Sequence, residues 1–304
     1  MNKNIVVQNL GSGIVCFKNA VSIDNFKFID YIKNLKEKAI KEDYNIVYDD
    51  SNNPLYAINR SGHRYTIEEV NKSSSHIMNF IDSNTDDDIV QLFTSCEQAM
   101  YDCAILYADI YPMILPSLWW RMQGHVLAYG PGSLMGLHSD NDVNYQPGFE
   151  PDLQVATRNV VGSIIYLNSS VESENLLDGK NYVGGEISFP YANIVYRPQA
   201  GDLLMFPSNY LGTHEVLQCK AGERYAYIGY YCHGSEDPSR GINISHEEIP
   251  VGLQGQIWLK DLVKDYINFI NEKYSGDQEK IEEKLFPTYR LHNSANTMKE
   301  IHND

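Results

Sequence analysis

Basic residues are scarce in this chain. Across 304 residues, 24 Lys and Arg stand against 40 Asp and Glu, a formal charge of −16. No run of Lys or Arg interrupts that balance, which argues against a nucleic-acid backbone or an anionic membrane as the main partner. Long apolar runs are missing too. The best stretch, 104–116, is broken by Asp109 and falls short of the roughly 20 residues of a membrane span. At the N-terminus only Ile5, Val6 and Val7 form an apolar stretch, too short for a signal-peptide core. Cysteine is sparse as well. Cys16, Cys96, Cys103, Cys219 and Cys232 are odd in number and make no C-x-x-C pair. That excludes a disulfide framework and a zinc module, and fits reduced thiols in a cytoplasmic protein. Gly11-Ser12-Gly13 runs on to Cys16 where a G-x-G-x-x-G needs glycine, and there is no P-loop, H-E-x-x-H or G-x-S-x-G.

What is present is an ordinary globular composition, 43% hydrophobic and 21% charged. No repeat or linker marks a domain boundary, so residues 1–304 are read as one unit with three zones. Residues 1–120 read as helical support. Ser22 is placed as a helix cap ahead of Phe26, Ile29, Ile32 and Leu35 at helical spacing, and a second helix is expected from about Asp88 to Ile110. The acids Asp86, Asp87 and Asp88 are read as complementing that helix's dipole, not as a metal site. Residues 121–235 hold short strand-like runs rich in Val, Ile, Tyr and Phe: 125–129, 160–167, 186–189, 194–196, 203–206 and 225–231. Turn signals such as Pro131-Gly132, Gly184-Gly185 and Gly201-Asp202 separate them, the pattern of a jelly roll or related barrel. Residues 236–304 return to helix, with a stripe through Ile257, Leu259, Leu262, Val263, Tyr266, Ile267 and Ile270, and the last dozen are expected to fray. The expected class is thus α+β with a mainly β core and flanking N- and C-terminal helices.

His138-Ser139-Asp140 is an H-x-D pair whose side chains share a face if the segment is extended. His214 follows a strand-like run. Two histidines and a carboxylate can occupy one face of an octahedral ion and leave adjacent positions open, the facial triad of non-haem Fe(II) oxygenases. A second H-x-D, His302-Asn303-Asp304, lies in the expected tail and is read as chance. Arg224 comes ten residues after His214, at the start of the next strand. Its planar, permanently charged fork suits a carboxylate, and Tyr129 and Tyr166 on neighbouring strands can add hydroxyl donors.

Five pieces in order, VLAYGPGSLMGLHSD (126–140), SIIYLN (163–168), VGGEISFP (183–190), PQAGDLLMFPS (198–208) and THEVLQCKAGERYAYIGYYCHG (213–234), resemble the core of Fe(II)- and 2-oxoglutarate-dependent dioxygenases of the prolyl 4-hydroxylase type. The resemblance implies a double-stranded β-helix. It implies Fe(II) on His138, Asp140 and His214, and the distal carboxylate of 2-oxoglutarate on Arg224 with Tyr129 or Tyr166. O₂ is the oxidant and ascorbate a supporting reductant. Arg158 and His233 fall where such hydroxylases place substrate-facing residues, and Gly184-Gly185 matches a tight turn of structural role. The implied reaction hydroxylates a prolyl peptide or a free amino-acid-like molecule and releases succinate and CO₂. Because Asp140 is present, hydroxylation, desaturation or cyclisation is expected and halogenation is not. Met135 stands where some relatives carry an aromatic residue, and the segment 141–157 reads as a substrate lid or a decorated loop. The alternative is a non-catalytic double-stranded β-helix that binds a metal or scaffolds a partner.

Overall fold

Alternation along a few strands divides this molecule into two cores. In the strand Arg224–Cys232, Ala226 and Ile228 face one way while Tyr225, Tyr227 and Tyr231 face the other. Leu204 and Phe206 part from Leu203 and Met205 in the strand Leu203–Pro207 in the same manner. A period of two puts successive side chains on opposite sheet faces, and both faces of these strands are apolar, so both are covered. The computed structural model describes residues 4–59, 62, 64–72, 75–77, 80–142, 158–233, 242–245 and 255–287.

These strands belong to a large sheet. Its order runs Val6–Gly11, Ile14–Lys18, Leu203–Pro207, Asn159–Tyr166, Arg224–Cys232, Trp120–Met122, Gly255–Trp258 and Ile242–Ser245. His125–Tyr129 also pairs with Arg224–Cys232, and Ser75–Ile77 with His125–Tyr129. One face packs on a four-stranded sheet, ordered Ile194–Tyr196, Ile187–Phe189, His214–Val216 and Met135–His138. Ile164, Leu204 and Phe206 meet Ile187, Phe189 and Val216 between the sheets. The arrangement is the expected double-stranded β-helix. The other face of the large sheet carries helices Phe28–Asp43, Asp87–Ile110 and Leu262–Lys273, through Phe28, Phe93, Met100, Leu262 and Tyr266.

Several expectations need correction. The first zone is not mainly helical. Val6–Gly11 and Ile14–Lys18 form a hairpin on the edge of the large sheet, and Tyr44–Tyr48, Pro54–Asn59 and Arg64–Tyr65 form a separate small sheet. The Gly11-Ser12-Gly13 turn sits in left-handed backbone at φ +99°, +53° and +80°, which glycine reaches without strain. Ser22 does not cap the first helix, which starts at Phe28, and its hydroxyl donates to Asp24. The second helix does begin at the acidic triplet, where the Asp86 carboxylate accepts from Asp88 N at 2.9 Å. Ile257 lies not on a helix but on the strand Gly255–Trp258, because it pairs with Arg121 across the ladder. Residues 143–157 of the long segment, the last dozen residues and His302-Asn303-Asp304 lie outside the described residues.

Helix and sheet are joined by a buried ion pair. Arg121 and Glu97 are both wholly buried and hydrogen-bonded to each other. Glu97 also accepts from Gly124 N at 3.0 Å and from the Tyr227 hydroxyl. Removing one partner strands the other charge away from water, which costs about 3–5 kcal/mol. Glu97→Ala is therefore expected to lower unfolding free energy by about that amount in urea titration, with part of the loss recovered in Glu97→Ala/Arg121→Met.

Candidate metal and dicarboxylate site

The register of the smaller sheet brings the two histidines together. His138 ends the strand Met135–His138 and lies directly opposite His214, the first residue of His214–Val216. Their rings are 4.5 Å apart between centroids. Each ring is fixed by its own chain, with Nδ1 of His138 2.8 Å from the Gly136 carbonyl and Nδ1 of His214 2.9 Å from the Gly212 carbonyl. A carbonyl accepts only, so each Nδ1 carries the proton and each Nε2 presents a lone pair inward. Asp140 reaches the same point from the turn after the strand. Its Oδ1 stands 3.6 Å from His138 Nε2 and 4.0 Å from His214 Nε2. Ligand atoms of the three residues lie within 4.8 Å of one another, the one such grouping of three among the described residues.

The electrostatics suit a cation. Burial raises the Asp140 carboxyl to about 6, with His138 working against the rise, and lowers His214 to about 3. The metal-free pocket thus disfavours both a bare carboxylate and an imidazolium. A carboxyl held above its unfolded value of 3.8 binds its proton more tightly when folded, so stability falls as pH rises from that value through about 6. A divalent ion removes that penalty, and neutral imidazole nitrogens beside one carboxylate are a donor set that fits Fe(II).

The triad opens on a cavity of about 290 Å³, walled by Leu127, Tyr129, Ile164, Arg224, Ile228 and Tyr230 among others. At one end lies Arg224, opposite Tyr129 on the neighbouring strand and only 1% exposed. Its guanidinium carbon is 4.6 Å from the Tyr129 ring centroid and 5.4 Å from that of Tyr166. Its Nε and Nη1 have no hydrogen-bond acceptor, and the buried hydroxyls of Tyr166 and Tyr182 have no partner of normal geometry either. Burial pushes both phenols upward, more than the nearby guanidinium lowers them, so both remain O–H donors at neutral pH. Buried donors without acceptors are rare in folded proteins. The unpartnered Arg224 edge on this cavity fits an anionic group with several acceptor oxygens, as a carboxylate has. A slightly larger, open depression of about 320 Å³ between Ser22–Phe28 and Asp88–Ser95 shows no comparable cluster, and its Lys27–Asp88 pair is exposed.

Sequence reading missed three contributors. Tyr182 is one of 22 tyrosines, and only the close packing of Gly185 hints at it. Gly185 has φ +63°, and a Cβ there would lie 2.9 Å from the Tyr182 ring and 3.0 Å from Arg224 Cδ. His76 enters the cavity wall because Ser75–Ile77 pairs with His125–Tyr129. It stacks on His125 at 5.5 Å, and burial lowers both, His125 to about 4. Gly162 stands beside Asp140. Arg158 and His233 do come together, through a 3.0 Å bond from His233 N to the Arg158 carbonyl, at the end of the Asn159–Tyr166 and Arg224–Cys232 ladder. Neither walls the cavity.

The fold and site define a jelly-roll core with a histidine–carboxylate face open to a cavity. Residues 124–232 match the 2OG-Fe(II) oxygenase superfamily, a class that uses Fe(II), 2-oxoglutarate and O₂. No curated protein matches the chain. Among solved structures it is similar to a viral collagen prolyl hydroxylase from Paramecium Bursaria Chlorella virus-1. That pair shares 11% identity at TM-score 0.42, covering 74% of this chain and 98% of the other. It is also similar to a Pseudomonas putida prolyl-4-hydroxylase, with 16% identity, TM-score 0.39 and 73% and 94% covered. A Trichoplax adhaerens prolyl hydroxylase, solved with a hypoxia inducible factor peptide fragment, shares 17% identity at TM-score 0.41, with 73% and 84% covered.

The orphaned phenols give a direct test. Deleting a buried hydroxyl that has no partner removes an unmet desolvation cost of about 1–3 kcal/mol. Tyr166→Phe and Tyr182→Phe are expected to leave the ligand-free melting temperature unchanged or raised in calorimetry, where loss of an ordinary buried hydrogen bond would lower it.

Proposed function

We propose that His138, Asp140 and His214 hold Fe(II), and that Arg224, with Tyr129, Tyr166 and Tyr182, receives the distal carboxylate of 2-oxoglutarate. The carrying observation is the buried, acceptor-free edge of Arg224 on the same cavity as the triad. A guanidinium offers two parallel donors to a carboxylate, and that bond is charge-assisted. Bound iron and cosubstrate supply the oxidation, with 2-oxoglutarate leaving as succinate and CO₂ while an unactivated C–H of the substrate is hydroxylated.

The chain's own residues bind, orient and shield. The Gly136 and Gly212 carbonyls hold the Nδ1 protons of His138 and His214, so each ring turns Nε2 toward the ion. Leu127, Ile164 and Ile228 keep the cavity apolar. His76 and Tyr230 offer polar contacts in its wall, while Arg158 and His233 sit near the end of the same ladder for substrate. The substrate reading, a prolyl peptide or a free amino-acid-like molecule, rests on the sequence resemblance. Ascorbate is read as a supporting reductant, and the whole of 1–304 as one working unit. The charge of −16 speaks against nucleic acid, and no described helix is long and apolar enough to cross a membrane. Five free, buried cysteines suit the cytoplasm.

Anaerobic titration of the purified apo-protein with Fe(II) and 2-oxoglutarate is expected to give the weak visible charge-transfer band of an iron-bound keto acid. His214→Ala should abolish it. Absence of the band in the wild type would favour the non-catalytic reading.

A further inference from the structure

The Asn159–Tyr166 strand contributes no metal ligand, yet it touches the carboxylate ligand from two sides. Asn159 donates from Nδ2 to the Asp140 carbonyl at 2.9 Å, while its Oδ1 takes the Cys232 thiol at 3.3 Å. Three residues further along the strand, Gly162 presents bare backbone to the carboxylate. A Cβ at 162 would lie 2.5 Å from Asp140 Oδ2, and 2.9 and 3.0 Å from the Phe206 ring. Gly162 has no positive φ to explain it. Alanine fits its backbone, so what glycine provides there is space. The neighbouring turn is tied as well, with Asn141 N donating to the Ser208 carbonyl at 3.0 Å and the Ser139 and Thr213 hydroxyls 3.0 Å apart.

We propose that Gly162 and Asn159 are positioning residues for the metal site. They seat Asp140 with Oδ1 toward the two histidines and Oδ2 in the space left by the missing side chain at 162. The inference rests on the metal reading above. A methyl group at 162 forces the carboxylate off that seat, because the flexible Asp140 side chain yields before strand backbone does. Phe206 is less free to move, since it packs edge-on against His214 at 4.8 Å and against Phe189 at 5.1 Å. Second-sphere changes of this kind typically weaken metal binding by roughly ten- to a hundredfold.

The test uses Co(II) alone as probe, followed by its visible d–d absorption in the full-length apo-protein, without cosubstrate. Gly162→Ala should weaken Co(II) binding by roughly ten- to a hundredfold, and Asn159→Ala in the same direction by less. Thermal melting of the metal-free protein supplies the second arm. The drop caused by Gly162→Ala should shrink when Asp140→Ala is also present, because the group it strikes is gone. Unchanged Co(II) affinity in the variants overturns the proposal. So does an equal melting loss in both backgrounds, which would make Gly162 merely room for Phe206. If Gly162→Ala does not fold, Asn159→Ala decides alone. Wild-type protein that takes up no Co(II) would sink the metal reading itself, whereas wild-type uptake with unaltered variants would sink only this inference.

Discussion

Two arginines are buried among the described residues, and they are buried on different terms. Arg121 lies between sheet and helix with the Glu97 carboxylate bonded to it. Arg224 lies between the two sheets, among tyrosine rings, with two of its nitrogens facing no acceptor. An unpaired charge away from water is costly, and ring quadrupoles offset only part of that cost. The large sheet tolerates it because Arg224 is anchored in a nine-residue strand paired on both sides. The fold stores an unmet cation at one end of a cavity and an unmet carboxylate–imidazole face along it. Each suits a charge of the opposite kind, which in the proposed reading a metal ion supplies to the triad and the distal carboxylate of 2-oxoglutarate supplies to Arg224.

The rest of the architecture holds those demands in register. The large sheet fixes Arg224 against Tyr129, and the smaller one fixes His138 against His214. Interdigitation of Ile164, Leu204 and Phe206 with Ile187, Phe189 and Val216 sets the distance between them. On the outer face the Glu97–Arg121–Tyr227 network locks the long helix to the same strand that carries Arg224.

Much of this was legible along the chain. The core strands announced themselves by Val, Ile and Tyr runs between glycine turns, and the H-x-D, the later histidine and Arg224 were visible from type and spacing. What escaped depends on pairing between distant segments. Nothing local in Val6–Lys18 says that it will join Leu203–Pro207. Ile257 suits a helical stripe as well as a strand, and its partner Arg121 decides the matter. Tyr182, His76 and Gly162 matter only for what the fold places against them. For Gly162 that is a carboxylate oxygen 22 positions earlier in sequence, which no periodicity reveals.

The site as proposed requires Arg224 to be a carboxylate receptor and not an accident of burial. The direct measurement compares binding of 2-oxoglutarate and 2-oxobutyrate, a keto acid without the distal carboxylate, to the anaerobic Fe(II) protein. The wild type should prefer 2-oxoglutarate by roughly ten- to 150-fold, the worth of a charge-assisted bond of about 1.5–3 kcal/mol, and Arg224→Met should bind the two acids alike. A preference that survives in Arg224→Met would contradict the account.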